Sequence, residues 1–295
     1  MRLNRRTKLH RDDRVYLMLM LPSFAMLFIL TIVPLVYTLF ISFTNNRITS
    51  QTATWLGLAN YAEALGDEKF WHSVAIMVGQ SVSEVTLQMF FGLVFALLLQ
   101  KEFRGVKLCR ALFILPWAVA PVVAGLMWRM LLNTDMGWIN YYLGCLLGIR
   151  VNWLGDRLAA NAAIVITNTW ITTPAVGIML LAALQAIDQD YYDATAIDGA
   201  ARFQQICHMV LPMIRPTMIL ALLIRLMDAI RQFDITYTMT GGGPGNATES
   251  LNLYVYNQTF KYWRIGYGSA LSVIMLLIIL VTMSFLLHLI HKADS

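Results

Sequence analysis

Long apolar stretches alternate with short polar segments along most of this 295-residue chain. A helix needs about 20 mainly apolar residues to cross the hydrocarbon core of a membrane. Six stretches meet this requirement, at 16–43, 74–99, 111–132, 160–184, 211–230 and 269–290. The pattern predicts an all-α polytopic membrane protein with six transmembrane helices over 16–290, flanked by tails at 1–15 and 291–295.

The first apolar stretch has two interpretations, because a cleaved signal peptide also places an apolar core behind basic residues. A signal core is about 7 to 15 residues long and leads to a small-residue cleavage site. The stretch 16–43 is far longer, and no such site follows it. We therefore expect a membrane anchor rather than a cleaved leader.

Basic residues are distributed unequally between the two sets of predicted loops. Thirteen Lys and Arg residues lie on the side that holds both tails, seven lie on the opposite side, and Arg129 and Arg225 fall within predicted spans. Because basic residues accumulate in cytoplasmic loops, this bias predicts that both termini are cytoplasmic. An even number of spans is consistent with that, since it returns the chain to its starting side.

Composition supports the membrane interpretation. Apolar residues make up 58% of the chain and charged residues 13%, and the mean hydropathy is +0.61, whereas soluble domains carry about 25% charged residues. The net charge of +5 follows from the loop bias, so it does not indicate a nucleic-acid partner. Three cysteines without paired spacing do not predict a disulfide framework.

The sequence contains no catalytic motif of the common kinds. It lacks the G-x-x-x-x-G-K-[ST] phosphate loop, the H-E-x-x-H zinc motif and the G-x-S-x-G nucleophile motif. We therefore expect a non-enzymatic chain that itself binds no cofactor and no metal. Energy for transport would enter from an ion gradient or from another subunit.

The segment 188–210 is too polar to span a membrane, and its alanine content favours a helix. Asp188 and Asp190 suit a helix start, Gly199 suits a helix end, and Pro212 interrupts the helix that follows. The segment therefore predicts a helix–glycine–helix element on the cytoplasmic side. A solvated loop with chance alanines is the alternative.

This segment resembles the EAA loop of the membrane subunits of binding-protein-dependent ABC importers, whose pattern is E-A-A-x-x-D-G-A followed by I-x-L-P. Here residues 193–200 read D-A-T-A-I-D-G-A and residues 209–212 read M-V-L-P. Asp193 replaces the glutamate and Thr195 replaces the second alanine. The first change preserves the negative charge, and the second preserves a small side chain.

Other stretches resemble the carbohydrate branch of this family, which includes maltose transporters. Their order and spacing cover nearly the whole chain. The matching positions are Pro34, Trp55–Tyr61 with Phe70 and Trp71, Gly137–Asn140, Trp153–Gly155, Phe233 and Asp234, and Thr240–Gly245 with Thr248.

The resemblance implies a type I ABC importer permease in the inner membrane of a prokaryote. Two permease subunits, in this branch usually different chains, would form one pore. Two partner subunits would bind and hydrolyse ATP, and an external solute-binding protein would deliver a carbohydrate. The residues then expected to contact the ATPase are Tyr192, Asp193, Ala194, Ala196, Ile197, Asp198, Gly199, Ala200 and Phe203. The alanines would permit close docking, the large apolar side chains would supply contact area, and the aspartates would make polar contacts.

A glycine-rich loop lies on the external side by the predicted topology. Its backbone is expected to face the receptor or the transport pathway at Gly241, Gly242, Gly243 and Pro244. An ordinary re-entrant turn is the alternative.

Charged and amide side chains within a membrane are costly and generally face a partner or a cavity. They occur at Gln80, Glu84, Gln88, Arg129, Asn168, Arg225 and Asp228. Glu84 lies near mid-depth, so we expect it to have a hydrogen-bonding or basic partner, or a wet cavity beside it.

Acids, amides and aromatic faces suit the hydroxyl groups and the ring of a sugar. The candidates for a substrate pathway are Glu84, Trp128, Asn168, Trp170 and Asp228. For the aromatic residues, helix packing or an interfacial belt is the alternative.

Two further function classes stay open from the sequence. In an ion-coupled secondary transporter, Glu84 and Asp228 would carry the coupling ions. In a structural or assembly protein of the membrane, the helix–glycine–helix would be incidental. The apolar spans predict contact with membrane lipid. The sequence does not identify which sugar is carried or which chain is the second permease.

Overall fold

The computed structural model describes residues 16, 19–47 and 54–294, with side chains described as far as 288. This part of the chain is helical, and its β structure is one isolated bridge between Thr44 and Trp55. The helices are α1 (Leu19–Ser42), α2 (Ala59–Gly66), α3 (Glu68–Leu99), α4 (Val106–Ile114), α5 (Pro121–Leu131), α6 (Trp138–Leu147), α7 (Arg157–Gln185), α8 (Gln189–Ile197), α9 (Arg202–Ile230), α10 (Asp234–Met239), α11 (Leu251–Tyr256) and α12 (Ile265–Asp294).

Within the described residues, five helices are long and apolar enough to cross a membrane: α1, α3, α7, α9 and α12. The third predicted stretch, 111–132, differs from a single helix. A short 3-10 turn, Leu115–Ala118, follows α4, and the chain then bends by 99° into α5. Pro121 opens α5 and holds Ala120 extended, because proline disfavours helical geometry in the residue before it. The described residues hold six spans if this bent pair counts as one.

The described residues divide into two compact units, of which the larger comprises residues 67–254 and 276–294. Within it, α3 packs along α7. Both helices begin at aspartates that cap them: Asp67 accepts a hydrogen bond from the Lys69 backbone at 2.9 Å, and Asp156 accepts two from the first turn of α7.

Two apolar clusters hold the larger unit together. One joins α3, α7 and α9 through residues that include Ala96, Val176 and Ile214. The other joins α5, α7 and α10 through residues that include Ala124, Ile164 and Ile235. Because α7 contributes to both clusters, it is the central helix of this unit.

The smaller unit comprises the described residues up to 66 together with residues 255–275. Here Asn60 of α2 donates to the backbone carbonyls of Ser42 and Thr44, at 2.8 and 3.0 Å. Arg264 makes a two-pronged contact with Glu63, at 2.6 and 2.7 Å. These bonds fix the chain that leaves α1 and the chain that enters α12.

Candidate functional site

The segment 188–210 forms the helix–glycine–helix that its sequence predicts. Asp188 caps α8, and its carboxylate accepts a hydrogen bond from the Asp190 backbone at 3.4 Å. The helix ends at Ile197, and Gly199 then adopts φ +75°, a left-handed conformation that favours glycine. The backbone of Ala201 turns extended and starts α9. The predicted helix–glycine–helix is therefore confirmed as a structure.

The element has an outer face of large, exposed apolar side chains. Ile197 is 86% exposed and Phe203 is 76% exposed. Tyr191, which the sequence pattern did not single out, is also exposed on this element. Exposed apolar side chains concentrated in a short segment indicate a surface that a partner covers.

Tyr192 lies on the inner face of α8. It is half-buried against the apolar cluster of α3, α7 and α9. Its hydroxyl accepts a hydrogen bond from Gln100 at 2.9 Å. Tyr192 therefore anchors α8 to the end of α3, and a contact of its ring with the ATPase stays a prediction.

Buried polar side chains of α3 form hydrogen bonds with α7 at two positions, one helical turn apart. Glu84, which is 1% exposed, accepts a hydrogen bond of 2.5 Å from Asn168. Gln80, four residues earlier, donates to Asn161 at 3.0 Å. The prediction of a partner for Glu84 is confirmed. The second carboxyl oxygen of Glu84 is buried and has no hydrogen-bond partner among the described residues, as is also true of the Gln88 side-chain carbonyl.

The other candidate pathway residues fall into two places. The rings of Trp128 and Trp170 pack edge to face, with centroids 5.8 Å apart, and border a largely apolar cavity of about 680 Å³. Asp228 forms an ion pair with Arg225, one turn earlier on α9. The structure thus joins Glu84 with Asn168 and Trp128 with Trp170, while Asp228 pairs within its own helix.

The glycine loop is held by threonines that the sequence pattern mentioned only as part of a motif. Gly241 and Gly242 have φ of +60° and +95°, which allows the chain to turn back on itself. The hydroxyl of Thr248 lies 2.8 Å from that of Thr240 and also 2.8 Å from the carbonyl of Gly243. Thr248 is fully buried, so the loop is an internally bonded structure and only Gly241 of the four predicted residues is well exposed.

This loop also contacts the amino-terminal part of α7. Asn161 donates to the carbonyl of Ala247 at 2.8 Å and at the same time accepts from Gln80. Asn161 therefore links the loop to the polar ladder between α3 and α7. Sequence reasoning missed this residue, because an asparagine near a helix start carries no signal of a distant partner.

Residues 88–294 match the family model described as the binding-protein-dependent transport system inner membrane component. The trehalose/maltose transport system permease protein MalF of Thermococcus litoralis is 37% identical over 92% of both chains. The sulfoquinovosyl glycerol transport system permease protein SmoG of Agrobacterium fabrum is 33% identical over 96% of this chain and 92% of that protein. A crystal structure of a bacterial alginate ABC transporter, in complex with an alginate pentasaccharide-bound periplasmic protein, has a chain that superposes with a TM-score of 0.86. The identity there is 20%, and 98% of each chain is covered.

The matched region contains the helix–glycine–helix and most of the spanning helices, and the relatives align over almost the entire chain. The ion-coupled transporter and the assembly protein are therefore set aside as function classes. The type I importer fold expected from the sequence is confirmed by the solved structure that this chain resembles. The chain belongs to the family of inner membrane components of binding-protein-dependent transport systems, and it is a transmembrane pore subunit of an ABC importer.

Proposed function

We propose that this permease moves a sugar or related polyhydroxy solute into the cytoplasm of a prokaryote, driven by ATP that partner subunits bind and hydrolyse. It would work with a second, different permease chain, two ATP-binding subunits and an external solute-binding protein. The chain would cross the inner membrane six times, with both termini in the cytoplasm. The segment 188–210 would transmit movement from the ATPase to the pore.

The observation that carries the coupling role is the outer face of α8 and of the first turn of α9. The side chains of Ile197 and Phe203 are largely exposed, and burying each against a partner is favourable by about 1.5 to 3 kcal/mol. Asp193 and Asp198 are exposed beside them and would make polar contacts. The alanines at 194, 196 and 200 leave room for close approach.

A rigid connection from this face into the bundle supports the same role. Gln100 at the end of α3 donates both to Tyr192 of α8 and, at 3.4 Å, to the carbonyl of Leu184 at the end of α7. A force on α8 would therefore reach the two helices that hold the Glu84–Asn168 pair. Transport of this kind needs a two-state membrane element that is biased from both sides.

The cargo assignment rests on the named relatives and on the chemistry within the bundle. The relatives are named for trehalose, maltose and sulfoquinovosyl glycerol, all of which carry sugar hydroxyl groups. Trp128 and Trp170 border a cavity and offer aromatic faces. Glu84 and Asn168 carry a carboxyl group and an amide of the kind that binds such hydroxyls, and in this structure each is buried and bonded to the other. The glycine loop at 241–244, with its exposed Gly241, would face the receptor.

Gly199 provides the sharpest test of coupling. Its φ is positive, yet an added Cβ would meet no atom within 4 Å, so a side chain there strains the backbone by about 1 to 2 kcal/mol without blocking the fold. We expect Gly199→Leu and Gly199→Asp to lower receptor-stimulated ATP hydrolysis and uptake of labelled sugar by about tenfold or more. The measurement uses the complete complex, reconstituted in vesicles with its receptor.

Gly148 is the matched control. It ends α6 with φ +67° and has the same open surroundings, so Gly148→Leu introduces similar strain away from the coupling segment. We expect Gly148→Leu to retain both activities, and the subunit ratio of each purified complex shows whether the ATPase is still bound. Normal stimulated hydrolysis and uptake in both Gly199 variants would rule out the coupling role.

A further inference from the structure

A cavity of about 430 Å³ lies between the end of α3, the inner face of α8 and the start of α9. Its polar lining consists of Gln100, Lys101, Tyr192, Arg202 and Gln205. The lining therefore contains two cations, two amides and a phenol, and it contains no carboxylate. A cavity with this set of groups selects for an anion.

The two cations and the phenol keep donor hydrogens for a ligand, whereas the Gln100 amide already donates to Tyr192 and Leu184. Neither Lys101 nor Arg202 forms an ion pair within the described part of the chain. The hydroxyl of Tyr192 accepts from Gln100, which leaves its own hydrogen available to a further acceptor. Three kinds of donor thus converge on one space: an ammonium, a guanidinium and a phenol.

The remaining wall of the cavity is apolar and belongs to a membrane-spanning helix. Val94 and Leu98, one turn apart on α3, border the cavity and are 36% and 61% exposed. Lys101 follows at the point where the apolar run ends. A ligand seated here has a charged end beside Lys101 and Arg202 and an apolar part along α3.

We propose that this cavity binds the anionic headgroup of a membrane phospholipid, with one acyl chain lying against Val94 and Leu98. Basic pockets between transmembrane helices bind such headgroups. The apolar wall favours a lipid over a soluble phosphate, because a free anion would leave that wall exposed. The site is distinct from the outer face of α8, since Tyr192 points to the opposite side from Ile197.

The test measures lipid binding to the purified, detergent-solubilised complex by native mass spectrometry. Phosphatidylglycerol and phosphatidylcholine are compared at equal concentration. We expect phosphatidylglycerol to bind more tightly, and the double variant Lys101→Gln/Arg202→Gln to lose affinity for it by about fivefold for each cation removed. Binding of phosphatidylcholine should not change, because it carries no net charge.

Lys107→Gln is the matched control, since Lys107 is an exposed cation near the start of α4 that does not border the cavity. It should bind phosphatidylglycerol like the unaltered complex. Inorganic phosphate is added as a competitor, and it should not displace the lipid. Unchanged lipid binding in the double variant, or displacement by inorganic phosphate at equal concentration, would overturn the proposal. Because the readout is lipid occupancy, the result does not depend on whether 188–210 couples ATP hydrolysis to transport.

Discussion

Glu84 and Asn168 are the residues whose pairing matters most within the bundle. Each is buried among apolar helices, and one oxygen of Glu84 already has no hydrogen-bond partner among the described residues. A buried polar group that loses its partner costs about 1 to 3 kcal/mol, whereas replacing both partners by apolar groups is much less costly. The pair should therefore behave as a unit.

We expect Asn168→Leu to lower the free energy of unfolding of the purified complex by about 1 to 3 kcal/mol, because it leaves Glu84 without its donor. Glu84→Leu should cost a similar amount, since it leaves the Asn168 amide without its hydrogen-bond acceptor. The double variant should cost less than the sum of the two. Thermal unfolding followed by intrinsic fluorescence measures all three, and strictly additive losses would contradict direct pairing.

Among the helices, the contact between α3 and α7 depends on small residues. An added Cβ at Gly92 would lie 2.7 Å from a methyl group of Val176, and one at Gly177 would lie 2.6 Å from the Phe113 ring. Neither distance is tolerable without movement. Gly92 leaves room for Val176 of α7 against α3, and Gly177 leaves room for the Phe113 ring of α4 against α7, as is common in membrane bundles.

Gly92→Ala is therefore expected to destabilise the complex by about 1 to 3 kcal/mol through overpacking. Gly79→Ala, on the same helix, is the control, because its added Cβ meets nothing within 4 Å. It should be neutral or stabilising by up to about 1 kcal/mol, since alanine is the better helix former. The thermal midpoints of the two variants check this. Equal midpoints would contradict the prediction, because they would show that Val176 moves aside at little cost in stability.

For the whole molecule, the charges of the loops predict which end of each helix faces the cytoplasm. The excess of basic residues on one set of loops predicts that Ser295 and Asn246 lie on opposite sides of the membrane. Asn246 is exposed in the glycine loop, and Ser295 lies outside the described residues.

The topology is checked by cysteine labelling in a chain whose three native cysteines are replaced by serine. Ser295→Cys should react with an impermeant reagent only when the cytoplasmic side is open, and Asn246→Cys only from the external side. Uptake activity of each labelled chain confirms that the fold is intact. Labelling of both positions from one side would require a different number of spans, and the bent pair α4–α5 would be the first place to look.

Local features of this protein followed from the sequence because they depend on neighbouring residues. Apolar length marked the long helices, and Asp188 and Gly199 marked the ends of α8. The bend between α4 and α5 was also locally encoded, by Pro116 and Pro121, but it was hidden inside a stretch whose average hydropathy resembled a single span.

Pairings between distant segments were decided only by tertiary structure. The sequence predicted that Glu84 needs a partner, but Asn168 lies 84 residues away, and nothing local distinguishes it from other amides. Likewise, propensity predicted α8 but not its orientation. Tyr192 packs inward and Ile197 outward because α3 offers Gln100 and an apolar surface on one side only. Periodicity determines which residues share a helix face, whereas the packing of other helices determines which face is buried.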